Sequence, residues 1–293
     1  MAPSDPPALL FSLDETAATF EATGADRQSW LNGLVTCNLA PLKPGQGAYG
    51  LATSKVGKIL ADLDILLKDG AILVACPGPR RAALQESFDR YLVMEDVDLR
   101  DASEEFSWLR LHGAGAEEAA AALASALGGL SGGQDRTGLG DAILAVPAGR
   151  QGEAAEAVRR IAAPLREHDW LRIERGVPLF GVDFGESHYP QEATLEKRAV
   201  SFSKGCYLGQ EVVCRLEMRG HVHRRLAVLR ADGELVAGAP VTAGGAEVGA
   251  ITSAAAHPEG GAVALAMLKY AHTEPGSAVE VGGGAATVRE PRR

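Results

Sequence analysis

Residues 204–211 read KGCYLGQE, and there Lys204, Cys206, Gln210 and Glu211 crowd around two glycines. No other stretch of the chain brings amine, thiol, amide and carboxylate so close together. Gly205 and Gly209 permit backbone angles and close approaches that a Cβ blocks, which suits a tight turn presenting reactive side chains. A lysine two residues from a cysteine favours the thiolate, the form that attacks electrophiles and holds metal. The competing reading is a structural loop around an inert, buried cysteine. The density of polar partners favours the thiol site.

Outward from this turn the charge is uneven. Residues 197–225 hold seven Lys or Arg against two Glu, inside a chain of net charge −9. A basic island in an acidic protein points to an anionic ligand near the turn, against the alternative of a solvated charged surface. The overall acidity and the lack of interleaved aromatics exclude nucleic acid as a partner class. Four cysteines (Cys37, Cys76, Cys206, Cys214) stand far apart without a CxxC pair, so reduced thiols are expected rather than a disulfide framework. No apolar run approaches membrane-spanning length; Ile59–Leu67 is already broken by Asp62 and Asp64. The opening MAPSDPPALL lacks a signal-type pattern, and the expectation is a cytoplasmic monomer with no membrane partner.

At 293 residues the length predicts two or three domains. Residues 1–8 read as a loose leader. Residues 8–24 predict two short strands, and Asp26 reads as the N-cap of a helix reaching about Val35. Residues 48–77 read as successive strands with turns at 54–57 and 68–70, followed by a helix at 80–91 and a strand near 97–100. An Ala-rich helix is predicted at 116–128, a flexible loop at SGGQDRTGLG (131–140), a strand at 143–147, a helix at 153–163 with Pro164 just past its end, and another helix from 168. Beyond about Leu226, short apolar runs separated by Gly and Pro favour a small C-terminal β-barrel.

RIERGVP from Arg172, PQEA from Pro190 and SFSKGCYLGQEVVCR from Ser201 together resemble the signature of the YgfZ family, folate-binding relatives of the glycine-cleavage T-protein. TGADRQSWLNGLVTCNLAPLKPGQGAYGLATSKVGKILADL and VGAITSAAAHPEGGAVALAMLK are similar to the N-terminal part and the C-terminal barrel of the same superfamily. The resemblance implies an α+β fold, a T-protein-like three-domain ring with antiparallel sheets and a C-terminal β-barrel. The domains would be 1–41 with 106–222 (folate-binding, discontinuous), 42–105 (an inserted α+β subdomain) and 223–293 (the barrel). The implied function is binding of tetrahydrofolate or a derivative, non-covalently, in the assembly or repair of iron–sulfur clusters in client enzymes. Its partners would be reduced folate, iron–sulfur client enzymes and cluster-assembly proteins.

In this resemblance Lys204 and Cys206 are the motif's lysine and cysteine, and Tyr207, Gly209, Gln210 and Glu211 complete it. Cys206 would act as a nucleophile, a reductant or a transient iron–sulfur cluster ligand. Glu174 aligns with the glutamate that T-protein relatives use at the pterin, whose two adjacent donors a carboxylate matches bidentately. Arg215 is a candidate for the folate's glutamate tail, Asp62 for a folate contact, and Trp170 lies near the place of a folate-stacking tryptophan. T-proteins that transfer an aminomethyl carbon have an acidic pair where this chain has Ala61 and Asp62. A folate-dependent one-carbon transferase, with Asp62 as acid/base, is therefore the alternative. A metal-binding module built from Cys206, Cys214, His221 and His223 is a further rival, although their spacing matches no familiar zinc module.

Overall fold

The structure, a computed structural model, describes residues 8–134 and 136–292. The leader expected over 1–8 lies, apart from Ala8, outside the described residues. The chain divides into two compact units, Pro7–Leu165 with Lys197–Gln210, and Arg166–Glu196 with Glu211–Arg293.

The first unit opens with β1 (Leu10–Asp14), β2 (Ala17–Thr23), α1 (Arg27–Asn32), β3 (Gly47–Thr53), β4 (Ile59–Lys68), β5 (Ala71–Pro77), α2 (Arg81–Asp89) and β6 (Asp98–Asp101). It continues with β7 (Phe106–His112), α3 (Ala116–Leu127), β8 (Leu130–Gln134), β9 (Asp141–Pro147), α4 (Gln151–Arg159) and β10 (Ala163–Pro164). Two five-stranded sheets result, ordered β10-β1-β7-β9-β8 and β3-β4-β5-β2-β6. Every pairing is antiparallel except β1 with β10.

Strand alternation sorts the side chains into layers. On β4, Leu63, Ile65 and Leu67 join the core under α1 and α2, where Phe88 stands edge-on to Phe20 and Trp30 at 5.9 and 5.8 Å. On β7 and β9, Leu109, Leu111, Leu144 and Val146 pack with α3 and α4. The opposite faces meet between the sheets, where Leu66, Leu73, Trp108, Ile143 and Ala145 form a common core. The same faces of β4, β7, β1 and β9 also carry Asp62 and Asp64, Arg110 and His112, Ser12 and Asp14, and Asp141. The inter-sheet layer therefore combines an apolar part with a polar one.

Two sequence expectations are corrected. The helix after Asp26 spans six residues and does not reach Val35, because Val35 leaves it to bridge Ala52 beside β3. Asp26 makes no side-chain cap; its carboxylate accepts the Asp96 N–H at 2.9 Å. The segment read as a flexible loop begins with strand β8, two of whose residues are Gly132 and Gly133. A Cβ at Gly132 would stand 2.6 Å from the Gly47 nitrogen and 2.7 Å from Leu66 Cδ2, so glycine here serves close packing rather than flexibility. Gly132→Ala is expected to cost about 1–3 kcal/mol through overpacking, read as a lowered thermal midpoint.

The second unit contains α5 (Asp169–Glu174) and α7 (Gln210–Arg219), which the chain enters from the first unit, while the boundary between the units falls after the first residue of α6 (Glu196–Ala199). Its strands are β11 (Arg224–Ala231), β12 (Pro240–Ala243), β13 (Ala246–Ala256), β14 (Ala262–Lys269), β15 (Ala278–Val281) and β16 (Gly284–Arg289). They close into a barrel, β11-β14-β13-β12-β15-β16, filled by Leu229, Val241, Ile251, Leu268 and Val288. Ile173 of α5 packs outside it on Leu226, Val228, Val263 and Leu265. Arg172 donates to Asp183 at 3.0 Å, and Asp183 accepts from Thr252 and Ser253 at 2.6 Å each, tying the Arg166–Glu196 segment to the barrel. Among the described residues no helix is long and apolar enough to cross a membrane.

Candidate functional site

The KGCYLGQE turn is fixed from below by its lysine. Lys204 is 9% exposed and its Nζ donates to the carbonyls of Asn32, Val35 and Cys37 at 2.6, 2.8 and 2.5 Å. These carbonyls lie at and beyond the C-terminal end of α1, where an ammonium satisfies otherwise unpaired acceptors. All three ammonium protons are taken, so the lysine donates nothing to the Cys206 thiol. Burial pulls the amine down to about 8, with Cys37 opposing. The Tyr207 ring lies 5.4 Å from Nζ and is buried. Leu208 is held at both ends, its N–H on Gly33 and its carbonyl on the Thr53 hydroxyl. Gly209 has φ +83, and a Cβ there would fall 2.4 Å from the Ser54 carbonyl oxygen. Gln210 reaches back to the Gly205 carbonyl at 3.5 Å, and Glu211 stands exposed in the first turn of α7.

On this frame Cys206 is exposed. Cys37 and Cys76 are buried, and burial pushes both thiols up to about 12. Cys214 is half-buried and also raised by burial, then by Glu217. Brief alkylation of the native protein should therefore modify Cys206 first and leave Cys37 and Cys76 intact. At pH ~8 their thiolate fraction is only about 10⁻⁴, before access is considered. Peptide mass mapping checks this order.

Asp62 sits in the polar part of the inter-sheet layer. Its Oδ2 accepts from Tyr49 Oη at 3.1 Å and from Arg136 at 3.0 Å, and the Arg136 guanidinium lies 4.5 Å from the Tyr49 ring. Two residues along the strand, Asp64 accepts from Arg110 Nε at 2.6 Å and Gln134 at 2.8 Å, and Arg110 also reaches Asp14 at 3.0 Å. The two carboxyls diverge. Burial, reinforced by repulsion from Asp64, leaves Asp62 above its ordinary value despite Arg136. Burial pushes Asp64 the same way, but Arg110, Arg136 and Gln134 outweigh it and hold the group low. Asp62 thus holds its proton more readily than an ordinary aspartate, and Asp64 its charge.

In the second unit Trp170 and Glu174 come together around His257. The Trp170 ring meets His257 edge-on at 5.1 Å, and Glu174 Oε1 lies 3.5 Å from His257 Nε2. Arg292 approaches Glu174 at 3.3 Å. Glu174 lines an open cleft of about 250 Å³ with Val228, Arg230, Val263, Arg289, Glu290 and Arg292. Arg215 is exposed on α7. Among the described residues no three His, Cys, Asp or Glu side chains converge as metal ligands, so Cys206, Cys214, His221 and His223 form no such cluster.

Sequence reasoning missed Tyr49, Asp64, Arg110, Gln134 and Arg136. A signal existed for Asp64, since residues i and i+2 of a strand share a face. The arginines arrive from distant strands and a Gly-rich segment, and no local pattern marks them.

Residues 13–128 match the GCVT N-terminal domain, and residues 224–289 match the glycine cleavage T-protein C-terminal barrel domain. An aminomethyltransferase of Streptomyces coelicolor is 28% identical over 288 residues, covering 87% of this chain and 77% of the relative. A tRNA-modifying protein YgfZ of Vibrio vulnificus is 28% identical over 249 residues, covering 80% and 74%. The crystal structure of glycine cleavage system aminomethyltransferase T from Bartonella henselae matches the fold with a TM-score of 0.80 at 20% identity, over 97% of this chain and 86% of that one. The chain thus belongs to the glycine-cleavage T-protein-like family, in which its relatives include both YgfZ proteins and aminomethyltransferases.

Proposed function

We propose that this chain binds a reduced folate, tetrahydrofolate or a derivative, and uses Cys206 to support assembly or repair of iron–sulfur clusters in client enzymes. The observation that carries the thiol role is the contrast among its cysteines. Cys206 alone of the four is exposed, on a turn immobilised by Lys204, Leu208 and Gly209. In this reading Cys206 contacts the client or its cluster transiently, Lys204 shapes the turn, and Tyr207, Gln210 and Glu211 maintain it.

The folate part rests on family membership and on a fit of residues. Glu174 is a carboxylate at a cleft with Arg230, Arg289 and Arg292, which offers an acceptor for pterin donors and cations for an acidic tail. Trp170 and Arg215 are the remaining assigned contacts in the same unit. Bound there, a reduced folate would supply a one-carbon carrier or a two-electron donor. Glu174→Ala is expected to weaken tetrahydrofolate binding about 10- to 100-fold, the worth of hydrogen bonds to a charged group. Calorimetry reads this, and unchanged affinity removes Glu174 from the assignment. Cys206→Ala should fold normally and fail to restore iron–sulfur enzyme activities in cells lacking the protein; full restoration overturns the thiol role.

One observation favours a second reading, a folate-dependent one-carbon transferase. Asp62 is buried, raised and held by Tyr49 and Arg136, as a general acid/base would be. Turnover of methylene-tetrahydrofolate with small amine or thiol acceptors, abolished by Asp62→Asn, would establish it.

A further inference from the structure

The polar part of the inter-sheet layer in the first unit contains a second arrangement that neither folate nor thiol chemistry uses. Ser12 on β1 lies opposite Arg110, and His112 on β7 lies opposite Asp141 on β9. Ser12 Oγ is 3.2 Å from His112 Nε2, and His112 Nδ1 is 2.8 Å from Asp141 Oδ1. Asp141 also accepts the backbone N–H groups of Arg136 and Thr137 at 2.6 and 2.5 Å and the Thr137 hydroxyl at 2.6 Å. Burial alone would raise Asp141, but His112 and Thr137 outweigh it and keep the carboxyl low and ionised. A carboxylate only accepts, so the neutral imidazole carries its proton on Nδ1 and turns the Nε2 lone pair toward the serine hydroxyl. His112 and Asp141 are 3% and 2% exposed, whereas Ser12 is half-buried and reachable.

Nucleophile, base and orienting carboxylate thus stand in hydrogen-bond order, the relation by which acyl-transfer sites are recognised irrespective of fold. A positive group is at hand as well. Arg110 uses Nε and one terminal nitrogen on Asp64 and Asp14. Directly opposed strand residues have Cβ atoms about 5 Å apart. Arg110 thus stands beside Ser12 on the neighbouring strand, with its guanidinium engaged by Asp64 and Asp14.

We propose that Ser12, His112 and Asp141 form an acyl-transfer site for a small carboxylic ester or thioester. Ser12 Oγ bonds to the acyl carbon as its proton passes to His112 Nε2. The bond to the alcohol or thiol breaks, and that leaving group takes the proton from Nε2. Water, deprotonated by the same nitrogen, then adds to the acyl carbon, the bond to Ser12 Oγ breaks to release the free acid, and Nε2 returns the proton to Oγ. The small size of the acyl group follows from the burial of Ser12, which is half-covered. This site stands apart from the folate reading, and either can fail without the other.

The test is labelling of the intact protein with a small alkyl fluorophosphonate, mapped by peptide mass spectrometry, alongside hydrolysis of p-nitrophenyl acetate. The expected result is an adduct on Ser12 that Ser12→Ala abolishes with an unchanged thermal midpoint. His112→Gln should slow it about 10²-fold or more, the usual worth of a general base. A folded wild-type protein that gains no adduct on Ser12 under excess probe overturns the proposal, as does ester hydrolysis unaffected by Ser12→Ala. Should His112→Gln unfold, the wild-type and Ser12→Ala measurements still decide.

Discussion

Replacing Asp64 by alanine is expected to lower the unfolding free energy by about 3–5 kcal/mol, the cost of removing one partner from a buried ion pair. The change leaves the Arg110 guanidinium with Asp14 as its one remaining carboxylate partner and takes the acceptor from the Gln134 amide between two sheets, where water reaches both poorly. Asp62→Asn, two residues away, should cost only about 1 kcal/mol, because the amide keeps an acceptor for Tyr49 and the lost charge was disfavoured in place. Acid titration separates them further. Asp64 is held below its unfolded value, so its contribution is complete above that value and disappears as pH falls through the lower folded one. Asp62 has the opposite sign: its penalty is absent in acid and complete only above its raised folded value. Urea unfolding from neutral to strongly acidic pH should show a shallower acid limb for Asp64→Asn than for the wild type. An unchanged limb would mean that the Arg110 pair does not form in solution.

Lys204→Met should rank next. Methionine keeps most of the volume but donates nothing, leaving the carbonyls of Asn32, Val35 and Cys37 without the amine. One unsatisfied buried acceptor costs about 1–3 kcal/mol, and three around one vacated position should exceed the upper figure. Two measurements distinguish anchoring from thiol activation. Hydrogen exchange should accelerate across 200–209 if the amine is an anchor. Cys206 alkylation in the folded fraction should stay within about twofold of wild type, since no lysine proton is directed at the sulfur. A large fall in alkylation rate with unchanged exchange would restore the activating role.

The fold was legible where patterns are local. The alternation in ILADLDILLK, the helical spacing of Leu84 and Phe88, and the short apolar runs after Leu226 each announce an element that the structure contains. Elements decided by neighbours were not. Residues 131–134 read as loop because two glycines carry no β preference, yet close contact with Gly47 makes glycine the residue that fits the strand. The short α1 is another case, ended by pairing with β3 and not by any breaker at Val35. For the candidate sites, the exposed Cys206 could be expected from its motif. The destination of the Lys204 amine could not, because its acceptors lie about 170 positions earlier in the chain. Arg110 and Arg136 were equally silent, since an arginine's partner on another strand leaves no trace in its own segment.

That separation in sequence also governs when the thiol turn takes shape. Closing so long a loop is costly in chain entropy before any contact rewards it, and the lysine emerges from the ribosome well after the carbonyls it must meet. The turn should consequently order last, after the sheets around α1 have assembled. A nascent or damaged chain would then present no shaped cysteine, which couples the availability of the sulfur to successful maturation of the unit that carries it.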